Sequence, residues 1–326
     1  MAETGPIEEI LDPGQAICDA HHHLWDLPTQ RYLHGDFLKD AGSGHRVTHS
    51  VYVEWRSHYR TTGPDAMRPV GETEFAARAA QLTKSGATHV CAAIVGFADL
   101  SLGSAVAEVL DAHQAAGQGY FRGIRHVGVW DADAVVRGGP AVAPPGLYRD
   151  PNFRSGLAEL QARGLSFDAW VYQTQLDDLI DLLGRCPDLP VVLNHTGGVL
   201  GIGPYAGRRD ALFADWHSKI RRLSAFPNLT LKLGGLGMQR AGFPFYGQSD
   251  GVGSETVAAA WRPWFEAAIE AFGADRCMFE SNFPVDHMSC SYAVLWNAFK
   301  RIVAALPLRD KDALFHATAA RFYRIR

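Results

Sequence analysis

The stretch SFDAWVYQTQLDDLIDLLGRCPDLPVVLNH, residues 166 to 195, holds the pattern on which the fold turns. Its two ends, 166–172 and 189–195, are short, apolar and β-prone, and QLDDLIDLLGRCPD between them has the composition and spacing of a helix. Strand, helix, strand at this length is the unit of a parallel sheet, because parallel neighbours need a crossover connection. Outward from this unit, strand-like runs recur at QAICDA (15–20), THSVYVEW (48–55), THVCAAIVGF (88–97), FRGIRHVGVW (121–130), NLTLKLGGL (228–236) and DRCMFES (275–281), eight in all. Between most of them lie helical segments: GETEFAARAAQLTKSG, LGSAVAEVLDAHQAAG, DPNFRSGLAELQARG, RRDALFADWHSKIRRLSAFP and SETVAAAWRPWFEAAIEAFG. SYAVLWNAFKRIVAALP and LRDKDALFHATAARFY follow the last strand, and the first gap shows no clear helix. Several helices stop at Gly or run into Pro before the next strand. Eight such units over 326 residues predict an α/β protein, a closed (β/α)8 TIM barrel forming one domain over residues 1–326, with 1–14 an N-terminal extension. A doubly wound open sheet is the alternative. VVRGGPAVAPPGLYRDP (135–151) reads as a long surface loop.

With 47% apolar and 20% charged residues, the chain has the material for a large core. Its 31 basic and 35 acidic residues form no long blocks and give a net charge of −4, so no electrostatic footprint for nucleic acid or an anionic membrane is present. The partner this leaves is a small-molecule substrate; a homodimer is compatible with the sequence. Five cysteines, odd in number and without a Cys-x-x-Cys pair, argue against a disulfide framework and for the reducing cytoplasm. The acidic start MAETGPIEEILDPG and the lack of a long apolar run predict neither secretion nor membrane insertion.

In a (β/α)8 barrel the chemistry gathers where strands end, so polar residues there are read as functional first. In CDAHHHLWD (18–26), strand alternation puts His21 and His23 on one face, with Asp19 beside His21, and His22 on the other. Two imidazoles at i and i+2 suit a joint grip on a metal or a substrate oxygen. His195, ending the sixth strand in VVLNHTGG, reads as a third inward imidazole. Arg125 and His126 alternate in GIRHVGVWD, and an inward Arg125 suits a bidentate hold on a substrate carboxylate. Lys232 in LTLKLGG is a buried-looking lysine that needs a partner or a purpose. Arg208 in GPYAGRRD either reaches over the mouth or opens a helix, and Glu54, ending VYVEW, is a further lumenal candidate. Trp25, Trp55, Trp130, Trp170 and Phe283 supply either walls for a ring-sized substrate or plain core packing.

Taken in order, DAHHHLWD, GIRHVGVWD, VVLNHTGG and CMFESNFPVD resemble the amidohydrolase superfamily in its amidohydrolase-related branch, over about residues 16 to 322. The group it is most similar to hydrolyses 2-pyrone-4,6-dicarboxylate, L-fucono-1,5-lactone and 4-sulfomuconolactone. The resemblance implies a hydrolase that opens a lactone or related cyclic ester of a small acidic or sugar-derived substrate by water attack. His21 and His23 match the family's first-strand His-x-His and His195 its later histidine. These imply either one divalent metal ion, zinc by ligand type, or a metal-free site that polarises the carbonyl with imidazoles. The family's carboxylate after strand eight lies in a Gly-Ser-Asp-x-Pro pattern, which here reads Glu280-Ser281-Asn282-Phe283-Pro284. An amide cannot take a proton in this range, so the role at Asn282 passes to Glu280, two residues back, or Asp286, four residues on. Strand four has GIRHVG where other members carry a carboxylated lysine, and DAWVYQTQ ends strand five without a histidine, which favours one metal over two. Two other readings stand beside lactone hydrolysis: a metal-dependent decarboxylase of an aromatic or muconate-type acid, and a non-catalytic binding barrel.

Overall fold

Eight parallel strands pair in chain order: β1 Ala16–His22, β2 Arg46–Val53, β3 His89–Gly96, β4 Phe121–Val127, β5 Ser166–Trp170, β6 Val191–Leu193, β7 Leu229–Leu233 and β8 Cys277–Phe279. The computed structural model describes residues 8–138, 143–248 and 251–325. Just past β8 the chain closes the barrel onto β1: Asn282 N donates to the His21 carbonyl (2.8 Å) and His23 N to the Phe283 carbonyl (2.8 Å). The open-sheet alternative is thereby excluded. All eight strands lie within the runs expected from sequence, to within one or two residues.

Helices α1 His34–Ala41, α2 Val70–Thr83, α3 Ala107–Ala116, α4 Pro151–Ala162, α5 Leu176–Arg185, α6 Arg209–Leu223, α7 Ser254–Phe272 and α8 Tyr292–Ile302 surround the strands. A last helical segment runs over Leu308–Phe322 with a π turn at Ala313–Ala317. The first gap holds what sequence periodicity does not reveal, a two-stranded hairpin (Trp25–Leu27 with Gln30–Tyr32) followed by α1. Both hairpin strands have three residues, too few for an alternating pattern to register. The loop expected over 135–151 contains a helical turn at Ala134–Arg137 and another at Leu147–Arg149, while 139–142 lie outside the described residues. Of the expected extension, 1–7 lie outside them too. Residues 8–12 are docked on α7 and α8, where Glu8 accepts from Ser254 N and Lys300 Nζ donates to the carbonyls of Leu11 and Asp12.

Two apolar layers result. The larger fills the space between strands and helices, and the smaller fills the barrel with Cys18, Ala20, Val51, Val53, Ala93, Val95, Val192 and Met278. Small residues in this interior leave room for Tyr323, which rises from the C-terminal segment and is fully buried among them. Cys18 and Ala20 facing inward put Asp19 outward, against the expectation that it shares the face of His21. A bulge is the reason: Asp19 pairs with Ser50 and His22 with Tyr52, so β1 spends one extra residue and the alternation slips by one. Asp19 instead accepts from Ser281 N (2.8 Å) and from the Tyr292 hydroxyl on α8 (3.0 Å). No helix among the described residues is long and apolar enough to cross a membrane.

Candidate active site

Glu280 is the centre of the cluster at the C-terminal ends of the strands. Its Oε1 accepts from His195 N (2.9 Å) and His195 Nδ1 (2.8 Å), and its Oε2 lies 2.9 Å from His21 Nδ1. The β1 bulge turns His21 inward to meet it, and the loop after β6 delivers His195. His195 and Thr196 have φ of 54° and 53°, and Asn282 has 55°, a left-handed conformation that non-glycine residues rarely adopt and that concentrates at functional sites. Glycines after β7 make the room. A Cβ on Gly234 would meet Glu280 Cγ at 2.4 Å, and one on Gly235, itself at φ +68°, would meet His195 Cβ at 2.5 Å.

His23 joins from the side. Its Nδ1 donates to the Val53 carbonyl (2.7 Å), which leaves Nε2 as a bare acceptor, 3.2 Å from His21 Nε2. Burial drives the pKa of His21 and of His23 well below the usual histidine value, helped by the cations Lys232 and Arg125 respectively. Burial also lowers that of His195, against the pull of Glu280. The three imidazoles are neutral near pH 7, the form that binds metals. His22 faces away, stacked on Phe37 at 4.2 Å and bonded to Ser50.

Two buried ion pairs flank the imidazoles. Arg125 Nε donates to Glu54 Oε1 (2.9 Å), its Nη2 donates to the Glu54 carbonyl, and its Nη1 lies 3.3 Å from His21 Nε2. His126, next along β4, packs outward between Phe97 and Phe153. Lys232 Nζ donates to Asp168 Oδ2 (2.9 Å) and lies 3.4 Å from His21 Nδ1. Asp168 Oδ2 also accepts from Asn194 Nδ2 (3.1 Å) and from the Tyr323 hydroxyl (2.8 Å), so the C-terminal segment reaches the floor of the site through the barrel. Asp168 and Asn194 are absent from the sequence reading. The signal was there for Asp168: a charge inside the apolar run SFDAW, as with Lys232.

The remaining expected residues separate. Asp286 is buried, with Oδ1 accepting from Asn282 Nδ2 (2.8 Å) and Oδ2 from Gly237 N (3.1 Å). Burial pushes its pKa up to about 8 despite those hydrogen bonds. Arg208 is exposed at the start of α6, in the helix-opening position. Of the aromatic residues, Trp170 stands edge-on to His195 (4.6 Å), Trp55 lies 4.7 Å from His23, and Trp25 lies 5.1 Å from Trp55. Phe283 packs on Tyr292 in the core, and Trp130 is half-buried.

His21, His195 and Glu280 offer ligand atoms that all lie within 4.8 Å of one another, a set that includes Glu280 where the sequence reading has His23. Two observations fit this set to a cation. Glu280 Oε2 is buried and accepts no hydrogen bond. Arg125 and Lys232 are each matched by their own carboxylate, so Glu280 among neutral imidazoles leaves one uncompensated negative charge. Two nitrogens and one carboxylate are a set that binds a divalent ion and keeps a position open for chemistry.

A closed (β/α)8 barrel with imidazoles and a carboxylate converging at its C-terminal mouth is a hydrolase architecture, with a donor set that fits a metal ion. The chain belongs to the amidohydrolase family, whose model matches residues 18–325. It is 35% identical to an uncharacterized protein, y4mH, of Sinorhizobium fredii, over 95% of this chain and 99% of that one. It is 28% identical to an L-fucono-1,5-lactonase of Burkholderia multivorans, over 96% of this chain and 97% of that one. Among solved structures, an amidohydrolase from Burkholderia multivorans with bound Zn superposes with a TM-score of 0.71 at 24% identity, covering 95% of this chain and all of that one.

Proposed function

We propose that the chain is a cytoplasmic lactone hydrolase that uses one divalent ion, zinc, held by His21, His195 and Glu280. The observation that carries this reading is the buried Glu280 carboxylate, hydrogen-bonded through one oxygen to His195 and with the other 2.9 Å from His21 Nδ1 but without a hydrogen bond. Support comes from the lactonase named among the relatives, the Zn in the superposed structure and five cysteines that are all unpaired.

The ion, when bound, supplies Lewis-acid polarisation of the ring carbonyl. The chain does the rest. Glu280 Oε1 holds His195 through two hydrogen bonds and fixes its tautomer, so that Nε2 is the free nitrogen. His23, oriented by the Val53 carbonyl, takes the proton of the attacking water at Nε2 and returns it to the alkoxide that leaves the ring. Asp286 is not the base, since a carboxyl with a pKa near 8 is protonated at neutral pH. Arg125 Nη1 and Lys232 Nζ, both close to His21, favour the negative charge that builds on the carbonyl oxygen. Trp55 and Trp170 wall the site and exclude water.

The test is a pH-indicator assay over sugar, muconate and pyrone lactones, on chelated protein and on protein reloaded with zinc. Zinc-dependent acid release that His195→Ala abolishes supports the reading. Carbon dioxide release without ring opening identifies a decarboxylase instead, and ligand-induced melting shifts without turnover identify a binding barrel.

A further inference from the structure

Small side chains inside the barrel, Cys18, Ala20 and Ala93 among them, make room for a large one, Tyr323, which enters from the end opposite the site and is fully buried. Its backbone is held there: Tyr323 N donates to the Ala319 carbonyl (3.0 Å), and its own carbonyl accepts from Arg122 Nε at the start of β4. The hydroxyl is thereby carried to 2.8 Å from Asp168 Oδ2. Burial, then the Asp168 charge, pushes the phenol well above its ordinary range, so the hydroxyl keeps its proton and donates. Filling the barrel needs only the ring; the hydroxyl needs a further reason.

Asp168 supplies that reason. Its Oδ2 accepts from Lys232 Nζ (2.9 Å), Asn194 Nδ2 (3.1 Å) and Tyr323, while its Oδ1 is buried and has no hydrogen-bond partner among the described residues. A carboxylate left to itself turns to use both oxygens, because a buried acceptor without a donor is costly. Here two neutral donors, one after β6 and one from the C-terminal segment, hold it turned on a single oxygen. The place of Lys232 follows: Nζ sits 3.4 Å from His21 Nδ1 and 5.2 Å from the centre of the Tyr323 ring, within cation–π range. We propose that Tyr323 is a positioning residue, whose hydroxyl fixes the turn of Asp168 and through it keeps the Lys232 ammonium beside His21. The use of that ammonium, to favour the negative charge on the ring carbonyl oxygen, rests on the lactone reading. Asp168, Asn194, Lys232 and Tyr323 are all buried, so bulk water does not replace a hydrogen bond that is removed. Without the hydroxyl, Asp168 turns to offer Oδ1 as well, and Nζ follows it away from His21.

The experiment removes the hydroxyl and leaves the ring. Zinc-loaded Tyr323→Phe is expected to lose about tenfold in kcat with KM unchanged, the signature of an interaction felt only in the transition state. A role in packing alone predicts a lower melting temperature with kcat of the folded protein unchanged, and that result overturns the proposal. In a Lys232→Met background the same change is expected to cost less than about twofold, because Tyr323 acts through Lys232. A full tenfold loss there overturns the proposal too; the measurements on Tyr323→Phe alone stand if the Lys232→Met chain does not fold. A crystal structure of Tyr323→Phe gives a readout that needs no substrate: Lys232 Nζ should lie about 1 Å or more beyond its present 3.4 Å from His21 Nδ1, with Asp168 turned to offer it both oxygens. An unmoved Lys232 overturns the positioning role. If the wild-type protein opens no lactone, the lactone reading falls and this structure alone decides whether Tyr323 positions Lys232.

Discussion

At the scale of single residues, Glu280 and Asp286 separate the two carboxylates that the sequence offers in place of Asn282. Glu280→Gln keeps the volume but removes the charge that balances a cation, and leaves one amide oxygen where the carboxylate has two, so His195 and an ion can no longer both be served by an oxygen. Zinc affinity is expected to fall roughly 10- to 100-fold, and turnover with it, measured as bound zinc per chain and kcat. Unchanged zinc content and turnover would remove Glu280 from the site. Asp286→Asn should do little at pH 7, because a carboxyl with a pKa near 8 is already uncharged there and the Asn282 amide can turn to meet the new one. Turnover within a few-fold of wild type is expected; a loss of about 1,000-fold would mark Asp286 as the base after all. Most of these groups were legible in the sequence because polar residues at the ends of apolar runs stand out: His21, His23, His195, Arg125, Lys232 and Glu280 are all in the cluster. Asp19 was not, since the bulge that turns it outward leaves no trace in composition. Nor was it legible that Arg125 and Glu54 hold each other, because pairing across 71 residues is a property of the closed barrel.

At the scale of elements, the segment after β7 decides whether the site assembles. LGGLG (233–237) places three glycines against Glu280, His195 and Asp286, and each lacks room for a Cβ. Gly235→Ala brings a methyl to within 2.5 Å of His195 Cβ and forces alanine into φ +68°. Stability is expected to drop by about 1–3 kcal/mol, the cost of one such strained residue. Because His195 must move, kcat should fall roughly 100-fold, as displacements of about 1 Å do. Denaturant melts and kcat, read side by side, check this; full activity would show that His195 has slack. The elements themselves were largely readable. Strands and long helices announce themselves by periodicity, whereas the hairpin and α1 in the first gap are too short to do so. The tight loop after β7 carried its signal in the glycines, whose purpose shows only once the neighbouring strands are in place.

At the scale of the whole molecule, buried ionisable groups other than the three clustered imidazoles set how the fold responds to pH. Burial lowers His45, His49, His113 and His126 from 6.5 to about 4. The unfolded chain therefore binds protons that the native one refuses, and each contributes stability that is present above pH 6.5 and lost as the pH falls toward 4. Glu72 and Asp286 act in the opposite sense. Burial raises both to about 8, so the native chain keeps protons that the unfolded one releases, and their contribution, full below the ordinary carboxylate range, is lost as the pH rises to 8. Between about pH 4.5 and 6.5 the four histidines, together with His22 (about 3), outweigh the raised carboxyls, Asp19 (about 6) included, and stability climbs with pH; above 6.5 Glu72 and Asp286 turn it downward until Lys300, lowered to about 8, opposes them. Each unbalanced proton is worth about 1.4 kcal/mol per pH unit. The melting temperature of the chelated protein, so that ion binding does not enter, should peak near pH 6.5 and fall on both sides. Glu72→Gln should flatten the alkaline side by about half of the slope, since one of the two carboxyls no longer titrates. A melting temperature that rises without a break from pH 5 to 8 would mean that Glu72 and Asp286 ionise in the folded chain as they do in water.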